Sequence, residues 1–206
     1  MDKKSIFLSL FVLFSLFVFP SNDLDLTTKV YACDYKCKDN KVIGEYRGIK
    51  AYSNGEYTGG TGYCGTNTSG KITYGYKWQC VEYVKRFYHK IFGKLLSQGW
   101  ANVYCSDDFV SKNKLNRRWN CDPSHPDVPQ STNIIVNTTI GGTGHIAIVK
   151  KVGSDYIEVV HQNLNKCEGE KRLNMTRKKN SQGKEYACVN IFGQQGKNHG
   201  CWLWPK

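Results

Sequence analysis

The chain has 206 residues, 40% hydrophobic and 13% aromatic. That is enough to bury one ordinary globular core and forces no second domain. Only 20 Gly and 5 Pro and no internal repeat exclude disordered and solenoid classes. The formal charge of +12 bears on partners rather than on fold.

The start of the chain sets the expected compartment. Met1-Asp2-Lys3-Lys4 is a short basic region, and Ile6 to Phe19 contains only Ile, Phe, Leu, Val and Ser. This run fits a signal-peptide core and is shorter than the ~18–20 residues that a membrane span needs. We expect a signal peptide over 1–21, an N-terminal extension over 22–44, a single domain over 45–206 and a secreted product without a membrane span in its mature form. Losing Asp2, Lys3 and Lys4 leaves a charge of about +11.

Secretion fixes the reading of the nine cysteines. Outside a reducing cytosol, Cys33, Cys37, Cys64, Cys105, Cys121, Cys167, Cys188 and Cys201 can pair as four disulfides, with the connectivity left open. Cys33-x3-Cys37 has no second ligand pair at a metal-site spacing, so neither a metal nor another cofactor is expected. Sequons stand at Asn67, Asn137 and Asn174, about as many as chance gives, and they permit glycosylation without arguing for it.

In chain order, residues 23–72 read as a loop-rich lead-in. From Cys80 onward, Val81, Val84, Phe87, Tyr88, Ile91 and Phe92 recur at helical spacing, Glu82 lies in the first turn and Gly93 stops the helix. Residues 105–130 are polar, and Ile134-Ile135-Val136 is a short strand. His145–Val152 and Tyr156–Val160, separated by Gly153-Ser154-Asp155, predict a hairpin. Residues 165–187 are polar and basic, and the tail turns apolar at Cys201–Trp204. A helix followed by antiparallel strands is an α+β domain.

Cys80 opens the amphipathic helix, where unpaired N–H groups and the helix dipole favour a thiolate. A nucleophilic thiolate needs a proton carrier, usually histidine. His89 lies on the same helix, and His125 and His199 lie in polar loops; we assign all three to the surface. His145 follows Gly141-Gly142-Thr143-Gly144 and opens a strand, where glycines allow close approach of backbone or substrate. The alternative for Cys80 is a structural disulfide.

Tyr74-Gly-Tyr-Lys-Trp-Gln-Cys-Val-Glu-Tyr-Val-Lys-Arg-Phe-Tyr88 resembles the nucleophile motif of the CHAP family, the cysteine- and histidine-dependent amidohydrolases and peptidases. It is closest to the amidase domains of glutathionylspermidine and trypanothione synthetases. Thr143-Gly-His-Ile-Ala-Ile-Val149 resembles the family's histidine strand and His161-Gln-Asn163 its E-Q-N end. Ala51–Gly55 and Gly200–Pro205 extend the likeness to about residues 45–205. The resemblance implies a papain-like (NlpC/P60-type) fold. It implies Cys80 as nucleophile and His145 as general base and then acid. The oxyanion would be held by the Cys80 N–H with support from the Gln79 side chain.

The family usually has glutamate where this chain has His161. If Gly153–Asp155 is a three-residue loop, Val152 pairs with Tyr156 and partner numbers sum to 308, so His145 faces Asn163 and lies diagonal to His161. Asn can hold an imidazole tautomer, as in Cys–His–Asn enzymes. We therefore expect Asn163 as the orienting residue and His161 as a supporting one. Thr132-Asn133 stands where the family tends to have Gly-Asp, which puts that turn in question.

Two substrate classes come with the resemblance, peptidoglycan amides and glutathione–polyamine conjugates. Secretion weighs against the second, and positive charge suits anionic bacterial envelopes, with residues 166–184 as the candidate contact. The expectation is a secreted, monomeric amidase or endopeptidase acting on peptidoglycan. The alternatives are an amidase on a soluble conjugate and a catalytically silent, disulfide-rich binding module. Nucleic acid is not an expected partner, because charge alone would support it.

Overall fold

Side-chain alternation along four central strands builds a sheet that is buried on both faces. In the computed structural model, which describes residues 40–55, 65–165, 167–196 and 199–206, these strands are β6 (Ile134–Asn137), β7 (His145–Val152), β8 (Tyr156–Asn165) and β11 (Gly200–Pro205). Ile134, Val136, Ile146, Ile148, Val160, Cys201 and Leu203 join one core cluster. Their neighbours Ile135, Ala147, Val149, Val159 and Trp202 join another. Period-two alternation sends successive residues to opposite faces, and each fully buried large aliphatic or aromatic side chain contributes about 1.5–3 kcal/mol. The expected signal segment, most of the extension, and Cys33, Cys37 and Cys64 lie outside the described residues.

The full sheet has seven antiparallel strands in the order β10-β9-β8-β7-β6-β11-β5, with β5 at Leu115–Trp119, β9 at Glu168–Lys179 and β10 at Glu185–Val189. Helix α1 (Cys80–Phe92) covers the first core face with Tyr83, Val84, Phe87 and Tyr88, all fully buried. It ends at Gly93, whose φ of 64° is the left-handed conformation of a helix-terminating glycine. A short helix α2 (Asp107–Lys112) is capped by the Ser106 hydroxyl, which accepts from the Phe109 N–H. The expected helix, hairpin, short strand and α+β class are all present.

Two stretches differ from expectation. The loop-rich lead-in contains two hairpins, β1 (Val42–Tyr46) with β2 (Ile49–Tyr52) and β3 (Thr66–Ser69) with β4 (Ile72–Tyr76). The basic stretch 165–187 contributes β9 and β10. Only Leu173 and Met175 supply large buried apolar side chains to β9. Its charges meet opposite charges nearby: Lys150–Glu170, Arg172–Glu158, Arg177–Glu185 and Lys171–Glu168. Ion pairs on both faces, from Glu170 and Arg172 on one and from Lys171 and Arg177 beside the thin apolar stripe on the other, make a strand that reads as loop.

The Thr132-Asn133 turn forms. Thr132 takes a φ of 73°, a conformation that glycine adopts freely, and its N–H donates to Val149 O at 2.7 Å. Asn133 Oδ1 accepts from the Gln130 N–H at 2.8 Å. Disulfides join Cys105 to Cys201 and Cys121 to Cys188, and Cys167 is also disulfide-bonded. Of the sequons, Asn174 is exposed, whereas Asn137 is buried and its amide donates to Ile191 O.

A buried polar knot ties α1 to the strands around it. Glu82, fully buried, accepts from Arg86 Nε at 2.6 Å, Asn67 Nδ2 at 2.7 Å and Gln162 Nε2 at 2.9 Å. Arg86 also donates to Lys50 O at 2.9 Å and lies over the Tyr52, Trp78 and Tyr83 rings. Removing one partner from such a knot leaves a buried charge uncompensated. Glu82→Ala should therefore cost about 3–5 kcal/mol of stability in urea or thermal melts. A loss below 1 kcal/mol would mean that the knot does not hold the helix.

Candidate active site

Cys80 is the first residue of α1 and a free thiol. Its N-cap, Gln79, makes no side-chain capping bond, so the first turn's N–H groups are not consumed by a cap. The backbone groups of Ile146, Val81 and Cys80 itself favour the thiolate. Ile146 follows His145, so the sulfur sits where β7 begins.

Burial outweighs those donors. Desolvation pushes the Cys80 thiol up to about 11. The expected low thiol pKa is thereby corrected: helix-end N–H groups act, but against a larger cost of burying a thiolate.

His145 opens β7 and is buried. Gly144 before it has a φ of 78°, and a Cβ there would lie 2.6 Å from Asn137 O and 2.7 Å from the Asn102 nitrogen. Both are backbone atoms, so no rotamer change could relieve the contact, and only glycine lets the chain enter β7 along this path.

His145 Nε2 meets His161 Nδ1 at 3.3 Å, and Phe192 stands edge-on to both rings, at 4.7 and 5.3 Å. This leaves Nδ1 of His145 for other partners. Among the described residues, no hydrogen bond joins Cys80 and His145. Burial first, then the charges of His161 and Lys171, hold His145 well below 6.5. Burial likewise lowers His161 to about 4, with Glu168 opposing and Lys171 adding to it. Both rings are therefore neutral at neutral pH.

Asn163 lies elsewhere. The ladder does follow the sum of 308, with Ala147 opposite His161, Ile148 opposite Val160 and Val149 opposite Val159. It does so because of a bulge between Val149 and Lys151, not through a Val152–Tyr156 pair: Val152 faces Ile157. Beyond His161 the chain leaves the ladder, and Asn163 takes a φ of 57°. Its Nδ2 donates to Gln79 Oε1 at 2.6 Å and its Oδ1 accepts from Asn54 Nδ2 at 2.9 Å. Thus His161 is brought to His145, and Asn163 to Gln79. Gln162 Nε2 donates to Gln79 O at 3.1 Å, linking the site to the Glu82 knot.

A cleft of about 360 Å³ is lined by Gln79 and Val81, the chain neighbours of Cys80 on either side. Thr66, Thr73, Tyr76, Gln98 and Trp100 form much of the remaining wall, and no lining residue is charged. Tyr76 and Trp100 are each about half exposed, at 50% and 51%.

A family model described as the CHAP domain matches residues 71–163, from β4 to the residue that holds Gln79. This span carries both motif segments, with Cys80 and His145 in the expected order. Residues 71–163 belong to the CHAP family. CHAP domains are in general amidohydrolases and peptidases, so the chain is a hydrolase at the level of reaction class. Comparison with curated proteins finds no significant match. Ala51–Gly55 and Gly200–Pro205, which also resembled the family, lie outside the matched span.

Asn54, Gln162 and Phe192 were not singled out as site residues by sequence. Asn54 lies in the quoted Ala51–Gly55 segment and Gln162 between two quoted residues, whereas Phe192 carries no local signal.

Two measurements follow from the buried, neutral rings and thiol. The unfolded chain binds a proton at position 161 near pH 6.5 and the folded chain only near 4, so stability is fully present above 6.5 and falls as pH drops towards 4. The loss should approach about 3 kcal/mol from His161 alone, and His161→Gln should remove that part of the acid slope in urea melts. Iodoacetamide labelling of Cys80 should rise steadily from pH 7 to 10; a plateau already reached at pH 6 would contradict a raised thiol pKa.

Proposed function

We propose that the chain is a secreted thiol hydrolase that cleaves an amide bond of bacterial peptidoglycan, with Cys80 as nucleophile and His145 as base and acid. The observation that carries the reading is a free thiol at a helix start, beside the first residues of a strand that opens with a buried, partnered histidine. Papain-like architecture, a signal peptide over 1–21, an extension over 22–44, a domain over 45–206 and a monomeric state complete the proposal.

For His145 to act as base through Nδ1, its Nε2 must carry the hydrogen and donate to His161 Nδ1. His161 then serves as a neutral acceptor that holds the tautomer, and we assign it the orienting role in place of Asn163. His145 Nδ1 takes the thiol proton as sulfur attacks the amide carbonyl. The two burial costs oppose each ion separately; a thiolate and an imidazolium formed side by side offset them, because opposite charges attract strongly in a low-dielectric site. The hydrogen bond between them would form with substrate in place, since catalytic contacts often tighten only then.

The carbonyl oxygen becomes an oxyanion facing the Cys80 N–H. Gln79 supports it through Nε2, because Asn163 already engages Oε1 and fixes the direction of the amide. His145 gives its proton to the leaving amine, and the resulting thioester is hydrolysed by water activated by the same imidazole.

The uncharged cleft favours a neutral stretch of substrate beside the scissile bond, such as an N-acetylated sugar, alanine or glycine. A glutathione-type substrate carries carboxylates that such walls do not pair. A silent binding module would be favoured by Cys80 locked in a disulfide, and Cys80 is free. Much of the basic stretch is ion-paired, so any attraction to an anionic envelope falls chiefly to the exposed Lys178, Lys179 and Lys184.

Release of muropeptides from purified walls should vanish with Cys80→Ala and with His145→Ala. His161→Ala should slow it about 10²-fold, whereas His161→Glu should keep or raise the rate by stabilising the imidazolium. Asn163→Ala should cost about tenfold by freeing Gln79. Trp100→Ala should act mainly on KM. Full activity of Cys80→Ala would overturn the reading.

A further inference from the structure

Tyr104 carries a hydroxyl that the fold buries and leaves without a hydrogen-bond partner among the described residues. A buried polar group without a partner is costly and calls for an explanation. The residue is fixed from several sides. Its ring stacks on Phe109 with centroids 4.0 Å apart, its N–H donates to Ala101 O, and its neighbour Cys105 is cross-linked to Cys201 in β11.

The turn before it, Ala101–Val103, is latched to the loop that launches β7. The Asn102 N–H donates to Thr143 O at 2.9 Å, and Asn102 Nδ2 donates to Gly142 O at 3.1 Å. Tyr104 and Ile146 share the core cluster against which Cys80 packs. Burial first, and then the charge of Cys80, keep the Tyr104 hydroxyl protonated, well above its ordinary value.

We propose that Tyr104 is a catalytic hydrogen-bond donor to the Cys80 sulfur, unpartnered in the thiol state and engaged when His145 removes the proton. This rests on the reading of Cys80 as nucleophile. In the thiol state the sulfur is a weak acceptor and Tyr104 gains little from it. Once the S–H proton has moved to His145 Nδ1, the sulfur is an anion and accepts from the phenol as well as from the nearby backbone N–H groups. The phenolic proton stays on Tyr104 throughout, so no bond to it breaks and the charge balance is that of the cysteine–histidine exchange alone. The same donor holds the sulfur when it departs from the thioester carbon as an anion.

Tyr104→Phe removes the donor and keeps the ring. At a fixed pH of 8, alkylation of Cys80 by iodoacetamide should fall about tenfold, and the labelling profile should move about one pH unit upward. Muropeptide release should show a similar loss in kcat with KM unchanged. The melting temperature should hold or rise, because an unpartnered buried hydroxyl has been removed. Labelling and kcat within twofold of the parent protein would overturn the proposal, as would a lower melting temperature with an unmoved labelling profile. Should Tyr104→Phe fail to fold, difluorotyrosine at 104, a stronger donor of nearly the same shape, should shift the profile downward, and an unchanged profile would again overturn it. Cys80→Ala measured alongside separates the two claims. If it retains turnover, the nucleophile assignment fails; if it is dead while Tyr104→Phe is unaffected, only the role of Tyr104 fails.

Discussion

The buried carboxylate of Glu82 is the constraint on which the site depends. It lies two residues beyond Cys80 in the first turn of α1, where a negative charge suits the helix end. Arg86 answers it one turn along, and Asn67 and Gln162 bring in β3 and β8. Gln162 then spends its other donor on Gln79 O and its oxygen on the Tyr52 N–H. One carboxylate thus fixes the start of the helix, the strand bearing His161 and, through Tyr52, the hairpin that leads to Asn54. Without it, a thiol at a helix start and a histidine at a strand start have no reason to keep a common geometry.

Around this frame the active-site groups follow a single electrostatic pattern. Burial raises the thiol and lowers both imidazoles, so the resting site is uncharged. A carboxylate at position 161 would favour an imidazolium and with it a standing ion pair. A neutral histidine gives no such bias, and in the proposed mechanism charge separation waits for substrate. A thiol held protonated in this way trades nucleophilic readiness for protection, since electrophiles and oxidants attack chiefly thiolates.

Much of this was legible in the sequence because it is local. Helical spacing from Cys80, Gly93 as its stop and the β-branched runs around Gly153–Asp155 each report on their own neighbours. An odd number of cysteines leaves one thiol over, and the resemblance of the Cys80 segment to a nucleophile motif says which. What was not legible depends on groups distant in the chain. Strand β9 is held by ion pairs with β8, β7 and β10, so its own residues read as a basic loop. The bulge between Val149 and Lys151 cancels a one-residue error in the assumed turn, so the register near the site came out right for the wrong reason. The positive φ of Asn163 then removes it from the ladder and gives His161 the contact expected of Asn163. The raised thiol pKa depends on burial of Cys80 under elements that its own helix does not contain.

Covalent catalysis by Cys80 is tested most directly by trapping its intermediate. Mature protein mixed with soluble muropeptides, quenched in acid during turnover and measured by intact mass and peptide mapping, should carry a hydroxylamine-labile acyl adduct on Cys80. Product formation without any adduct under those conditions, or an adduct on another residue, would contradict it.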